Sequence, residues 1–276
     1  MNAVLALKLL LVPLLIWLVT LAGRRWGPGV AGWLSAFPIV AGPILFVLTI
    51  EQGAGFAASA AEGTLLAVVA ILVFSVVYAW ASGWCKVAGS MALALLAWGA
   101  AVAALRSLPL PLAGAAILVW CALLVAARLF PAVPQVPAQA PAQAPAQAPA
   151  ATGAHRSDLP WRMLAGAVLV LAVSTAAARL GARLSGFFAM FPVMGTVLVG
   201  FAHAGRGRAD AVALLRGMVT GYVGFSVFCV VLAAQLREGA VGSAFALALG
   251  CALAVHLAAR RLLAVPAPAA LPANKV

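Results

Sequence analysis

Runs of apolar residues long enough to cross a hydrocarbon layer recur along this chain, and they decide what it can fold into. A membrane-spanning helix needs roughly 20 apolar residues to cross a ~30 Å core. Windows of that kind cover residues 3–22, 33–50, 64–82, 87–105, 110–127, 163–178, 184–203, 209–234 and 241–259. Composition closes the soluble alternative. Of the 276 residues, 66% are hydrophobic and 8% are charged, whereas a soluble domain carries about a quarter charged. The expectation is an all-α, polytopic transmembrane bundle of about nine helices, with the lipid bilayer as its main partner. Residues 3–22 read as the first span rather than a signal peptide, because Arg24 and Arg25 stand where a cleavage site needs small residues.

Four regions follow. Residues 1–130 form a first membrane unit of five helices, and 161–263 a second unit of four. Between them, 131–160 is a Pro/Ala/Gln-rich linker with Pro131, Pro134, Pro137, Pro141, Pro145 and Pro149. Proline at that density opposes a helix, and the composition cannot build a core, so an extended cytoplasmic tether is predicted. Residues 264–276 read as a disordered tail.

The two units resemble each other. An offset of 154 residues lays 32–79 on 186–233 without a gap, with 12 identities in 48 positions. GWLSAFPIV falls on GFFAMFPVM, Phe37-Pro38 on Phe191-Pro192, Gly53 on Gly207 and Gly63 on Gly217. The window 110–127 has no partner. A fifth helix before the second unit turns that unit upside down, so the pattern predicts a 4+1+4 inverted-topology repeat, an architecture of secondary transporters.

Charge bears on orientation. The net charge is +12, yet the basic residues sit at the ends of apolar runs rather than in an aromatic-studded patch. Nucleic acid is therefore not expected as a partner. With the N-terminus outside, 12 of the 17 basic residues fall in cytoplasmic segments, as the positive-inside bias requires. Lys8, Arg106, Arg179, Arg183 and Arg237 then lie outside. Glu51 and Glu62 follow the first Phe-Pro segment, where its counterpart carries Arg206, Arg208 and Arg216. Opposite signs are expected on opposite membrane faces.

The Ser185–Pro192 stretch, with Gly32–Pro38 as a second copy, is similar to the GlpM-like family of small bacterial inner-membrane proteins. The likeness covers about 45 residues per half. It implies a multi-pass protein of the bacterial inner membrane and a compact helical unit, here as a tandem fusion with an added helix. It implies no substrate.

Two groups of residues are candidates for function. A proline inside each of two equivalent spans removes a backbone donor, and interrupted helices at matching positions point to a substrate site. Phe37, Pro38, Gly42, Pro43, Phe191, Pro192, Gly195 and Thr196 make up that candidate cavity. Glu51, Glu62 and His203 are candidate ion or proton sites, because charge near a span is costly. His256 reads as a residue at the membrane interface. Cys85, Cys121, Cys229 and Cys251 are widely separated and read as packing residues. No catalytic motif stands out, so no enzymatic activity, metal or cofactor is expected. The leading reading is a small secondary transporter or permease for a weakly polar or lipid-like substrate. The alternative is a non-transporting scaffold or accessory subunit of an envelope or polysaccharide assembly. Homo-oligomerisation is compatible with both.

Overall fold

The computed structural model describes residues 3–108, 110–133, 158–179 and 191–263. Most of the expected tether (134–157), residues 180–190 and the expected tail (264–276) lie outside the described residues. Within them the chain is all-helical. In chain order the helices are α1 Ala3–Trp26, α2 Pro28–Ser35, α3 Ala41–Gln52, α4 Ala54–Ala81 and α5 Val87–Leu105. They continue as α6 Leu112–Leu129, α7 Leu159–Arg179, α8 Gly200–Arg206, α9 Arg208–Glu238 and α10 Val241–Leu263. A π-helical turn, Gly195–Val199, runs directly into α8. Six of these helices, α1, α4, α5, α6, α9 and α10, are long and apolar enough to cross a membrane.

Three expectations need correction. The span predicted over 33–50 is not one helix. It is α2 and α3, separated by a break at residues 36–40 that contains Pro38. The prolines therefore do not kink a helix from inside. Pro38 lies in the break, Pro192 precedes the π-helical turn, and Pro43 sits in the first turn of α3, where a missing N–H costs nothing. Nor is there a polar loop after α3. Gly53 alone joins α3 to α4, and Gly207 alone joins α8 to α9, with φ of 88° and 89°. That conformation disfavours a side chain, so glycine permits a one-residue corner between helices. Glu62 and Arg216 consequently lie two turns inside α4 and α9.

The inner layer is built on two antiparallel pairs. α4 and α9 cross with opposite ends together. Glu62 near the start of α4 pairs with Arg237 at the end of α9 at 2.7 Å. At the other end, Arg208 Nε donates to Ser82 Oγ at 3.3 Å. Between these ends Leu65, Val68, Phe74, Leu215, Phe228 and Leu232 are fully buried. α1 and α7 form the second pair: Arg24 meets Asp158 at 3.4 Å, and Gly166 lies against Val12 and Ile16. Each pair joins helices that correspond at the 154-residue offset.

Two further contacts fix the bundle. α2 crosses α9 backbone to backbone, because Gly29 and Gly32 face Leu214, Gly217 and Met218 with no Cβ between them. Small residues at a crossing allow this approach in a bilayer, where close packing replaces the hydrophobic effect as the driving force. α6 lies against both central helices, through Trp80 Nε1 to the Leu129 carbonyl (2.7 Å) and Trp120 Nε1 to Ser226 Oγ (3.0 Å). The outer surface is apolar. Leu10, Trp17, Leu96, Ile117, Leu124, Leu164 and Leu253 are exposed. In water such a surface would aggregate; in lipid it is the solvated face.

Candidate functional site

The two Phe-Pro segments have the same backbone path. In the first, the Ile39 amide donates to the Phe37 carbonyl at 2.7 Å, and the Gly42 amide to the Pro38 carbonyl at 2.9 Å. In the second, the Val193 amide donates to Phe191 at 2.7 Å, and the Thr196 amide to Pro192 at 2.8 Å. Each is a γ-turn centred on proline, whose ring already supplies the φ that an inverse γ-turn needs. Thr196 Oγ1 adds a second bond to the Pro192 carbonyl at 2.8 Å. The carbonyls of Phe37, Pro38, Phe191 and Pro192 are thus taken up locally, as lipid demands.

One cavity of about 130 Å³ lies between these segments. Phe37 borders it from one break, and Phe191, Pro192 and Gly195 from the other. α1, α4, α7 and α9 complete the wall with, among others, Val12, Ile71, Val170 and Phe225. Pro38 and Gly42 are buried beside it without lining it. Phe191 is held edge-on by Trp98, ring centres 5.1 Å apart. Phe37 is 5.2 Å from the ring of His256. Gly195 makes room for Phe74, whose ring would stand 3.1 Å from a Cβ there.

The proposed ion or proton residues do not reach the cavity. Glu51 is exposed at the end of α3. Glu62 is paired with Arg237. His203, on α8, bonds through Nδ1 to the Tyr78 hydroxyl at 3.0 Å.

Other residues stand where those were expected. Lys8 of α1 lines the cavity, together with Ser35 and Tyr222; every other lining side chain among the described residues is apolar. Ser35 Oγ donates to the Gly32 carbonyl at 2.7 Å. Neither Lys8 nor the Tyr222 hydroxyl has a hydrogen-bond or ion-pair partner among the described residues. A charged side chain at the centre of a span costs roughly 3 kcal/mol, less near its ends, so an unmatched lysine bordering a cavity calls for a reason. The sequence held a signal that reading loop charges missed: at the 154-residue offset Lys8 falls on Arg162, a cation on a cation.

His256 is buried inside the bundle. It is 2% exposed, and its ring stacks on Trp33 at 4.1 Å. Its Nδ1 lies 3.3 Å from the Gly221 carbonyl, while its Nε2 has no partner among the described residues. Arg260 covers the same indole at 4.9 Å. This stack braces the first break from behind.

Helices with lipid-type exteriors, central antiparallel pairs and a cavity bordered by both Phe-Pro segments define the class: a multi-pass helical membrane protein with a cavity. Comparison of the chain with protein-family models, with curated protein sequences and with solved structures finds no match.

Proposed function

We propose that this chain is a small secondary transporter or permease of the bacterial inner membrane, built as an inverted repeat and carrying a weakly polar or lipid-like solute. The observation that carries the reading is the cavity bordered by both Phe-Pro segments, one from each half. A substrate site at the interface of two inverted repeats, beside interrupted helices, is the recurring plan of such proteins. The repeat itself is supported by the geometry of equivalent elements. α4 and α9 correspond in sequence and run antiparallel, as do α1 and α7. The one-glycine corners at Gly53 and Gly207 are matched, and the corner glycine Gly27 falls on Gly181 in the sequence. The orientation follows the basic residues, with the N-terminus outside and the C-terminus cytoplasmic. A GlpM-like unit is the reading of each half.

Uptake by the purified protein in vesicles, screened against metabolites and lipids, tests the reading. Phe37→Trp and Phe191→Trp each fill the cavity from one side. Each is expected to lower uptake at least tenfold while the amount of inserted protein stays level. Pro38→Ala and Pro192→Ala are expected to lower uptake as well, since alanine restores a donor and lets the flanking helices join. A scaffold gives the opposite pattern: no solute is taken up, and any loss of function in these variants tracks loss of folded protein.

A further inference from the structure

Lys8 and Arg162 occupy equivalent positions in the two halves, but their surroundings differ. Arg162 is buried, paired with Asp158 one turn before it at 2.5 Å, and packed over the Phe201 ring at 5.1 Å. In the first half, the residue one turn before Lys8 is Val4. No carboxylate replaces Asp158, and Lys8 borders the cavity without a counter-charge among the described residues. Tyr222 brings a second unsatisfied donor to the same cavity from α9. Apart from Ser35, the rest of the wall among the described residues is apolar, with Phe37 contributed by one half and Phe191 by the other.

An ammonium and a phenol at the border of a largely apolar space select one kind of occupant. A neutral apolar solute leaves the charge uncompensated. A cation is repelled. A dianion brings more charge than one lysine can match. A single negative charge on an apolar body satisfies both parts of the wall: the anion accepts from Lys8 and Tyr222, and the body lies against the phenylalanines. The volume limits the body. An engineered apolar cavity of about 150 Å³ takes up benzene, so about 130 Å³ suits a body of the size of one aromatic ring or a short alkyl chain.

We infer that the cavity binds a small monoanion with an apolar body, a carboxylate or similar acid, through Lys8 and Tyr222. The inference rests on the transporter reading for its physiological meaning, but not for its test. The shared chemistry could come from a free acid or from the head group of an anionic lipid.

Binding to purified protein in a neutral detergent is measured by calorimetry for benzoate and hexanoate, and for the isosteric amides benzamide and hexanamide. The acids are expected to bind at least tenfold tighter than the amides. Lys8→Met is expected to erase that preference with the protein still folded, and Lys8→Arg to keep it. Tyr222→Phe is expected to weaken the acids several-fold while leaving the amides unchanged. Equal binding of acid and amide, no binding of either, or a preference that survives Lys8→Met would each overturn the inference. The last result would mean that Lys8 merely reaches for the membrane surface. In neutral-lipid nanodiscs, loss of benzoate binding on adding phosphatidylglycerol, reversed by Lys8→Met, assigns the site to a lipid head group. Retained binding assigns it to a free acid. Both outcomes uphold the monoanion site. Lys8-dependent binding without uptake in vesicles would sink the transporter reading and leave the site. Uptake of neutral solutes without acid binding would do the reverse.

Discussion

Replacing Gly217 by alanine tests the crossing on which the first broken segment hangs. A Cβ at that position would fall on the carbonyl oxygen of Gly29, 2.8 Å from its carbon and 2.9 Å from the amide nitrogen of Trp33. All three atoms are backbone, so no rotamer change relieves the contact. Carbon atoms pack at about 3.5–4.0 Å, so α2 must retreat from α9 by roughly 1 Å. Overpacking of this kind costs about 1–3 kcal/mol. Alanine returns up to ~1 kcal/mol through its better helix propensity. A backbone clash without rotamer relief takes the upper part of the overpacking range, about 2–3 kcal/mol, so the net loss is about 1–2 kcal/mol, a fall in Tm of roughly 2–8 °C at about 2–4 °C per kcal/mol. The retreat also moves Trp33, which stacks on His256 beside Phe37, so solute uptake should fall further than folded protein does. The assay is thermal denaturation in detergent followed by size-exclusion recovery, with Gly250→Ala as control. Gly250 is an exposed helical glycine with no described atom near its Cβ position. A Gly217→Ala protein that melts with the Gly250→Ala control would refute the backbone-contact argument. Gly32→Ala meets the same crossing from the other side, so the double variant should lose less than the sum of the two single losses.

Other outcomes follow from the same geometry. Gly207→Ala places a side chain at φ 89° and ψ −177°, which should cost about 1–3 kcal/mol and lower Tm; an unchanged Tm would mean that the corner does not hold its conformation in the bilayer. Glu62→Arg alone should destabilise modestly, since the partly exposed pair with Arg237 contributes up to ~1 kcal/mol, and adding Arg237→Glu should restore Tm. A double variant no better than the single one would argue against the antiparallel contact of α4 with α9. A reporter active only in the periplasm, fused at Val276, should be silent; activity there would reverse the orientation drawn from the basic residues.

The helices most legible in the sequence are those with charged ends. α5 begins and ends where the sequence reading placed it, because Lys86 and Arg106 bracket an uninterrupted apolar run. The start of α4 was missed by ten residues. Its first turns, Ala54 to Gly63, are small residues interrupted by Glu62, which hydropathy reads as a loop although Gly53 makes the corner by itself. The Phe-Pro pair marked the site, but the prolines were assigned to helix interiors. Sequence does not distinguish a kink from a gap when the residues on both sides are apolar. Lys8 and His256 were passed over for a different reason. A single charge near the end of a span reads as an interfacial anchor, and only tertiary placement shows Lys8 at a cavity and His256 under an indole.

The helix without a twin has an energetic consequence. On the inverted-repeat reading proposed above, two equivalent halves would adopt either of two conformations, open to one face or the other, with equal free energy. On that reading α6 would lift the degeneracy. It is bonded to α4 through Trp80 and to α9 through Trp120, and no second copy of it stands among the described residues to supply the mirror-image bonds. A hydrogen bond of this kind is worth about 1 kcal/mol net. If both are lost in the opposite conformation, the two populations differ by roughly thirty-fold at about 2 kcal/mol. The transporter proposed above would thereby have a resting position, and the solute gradient or ligand binding would supply the difference that moves it.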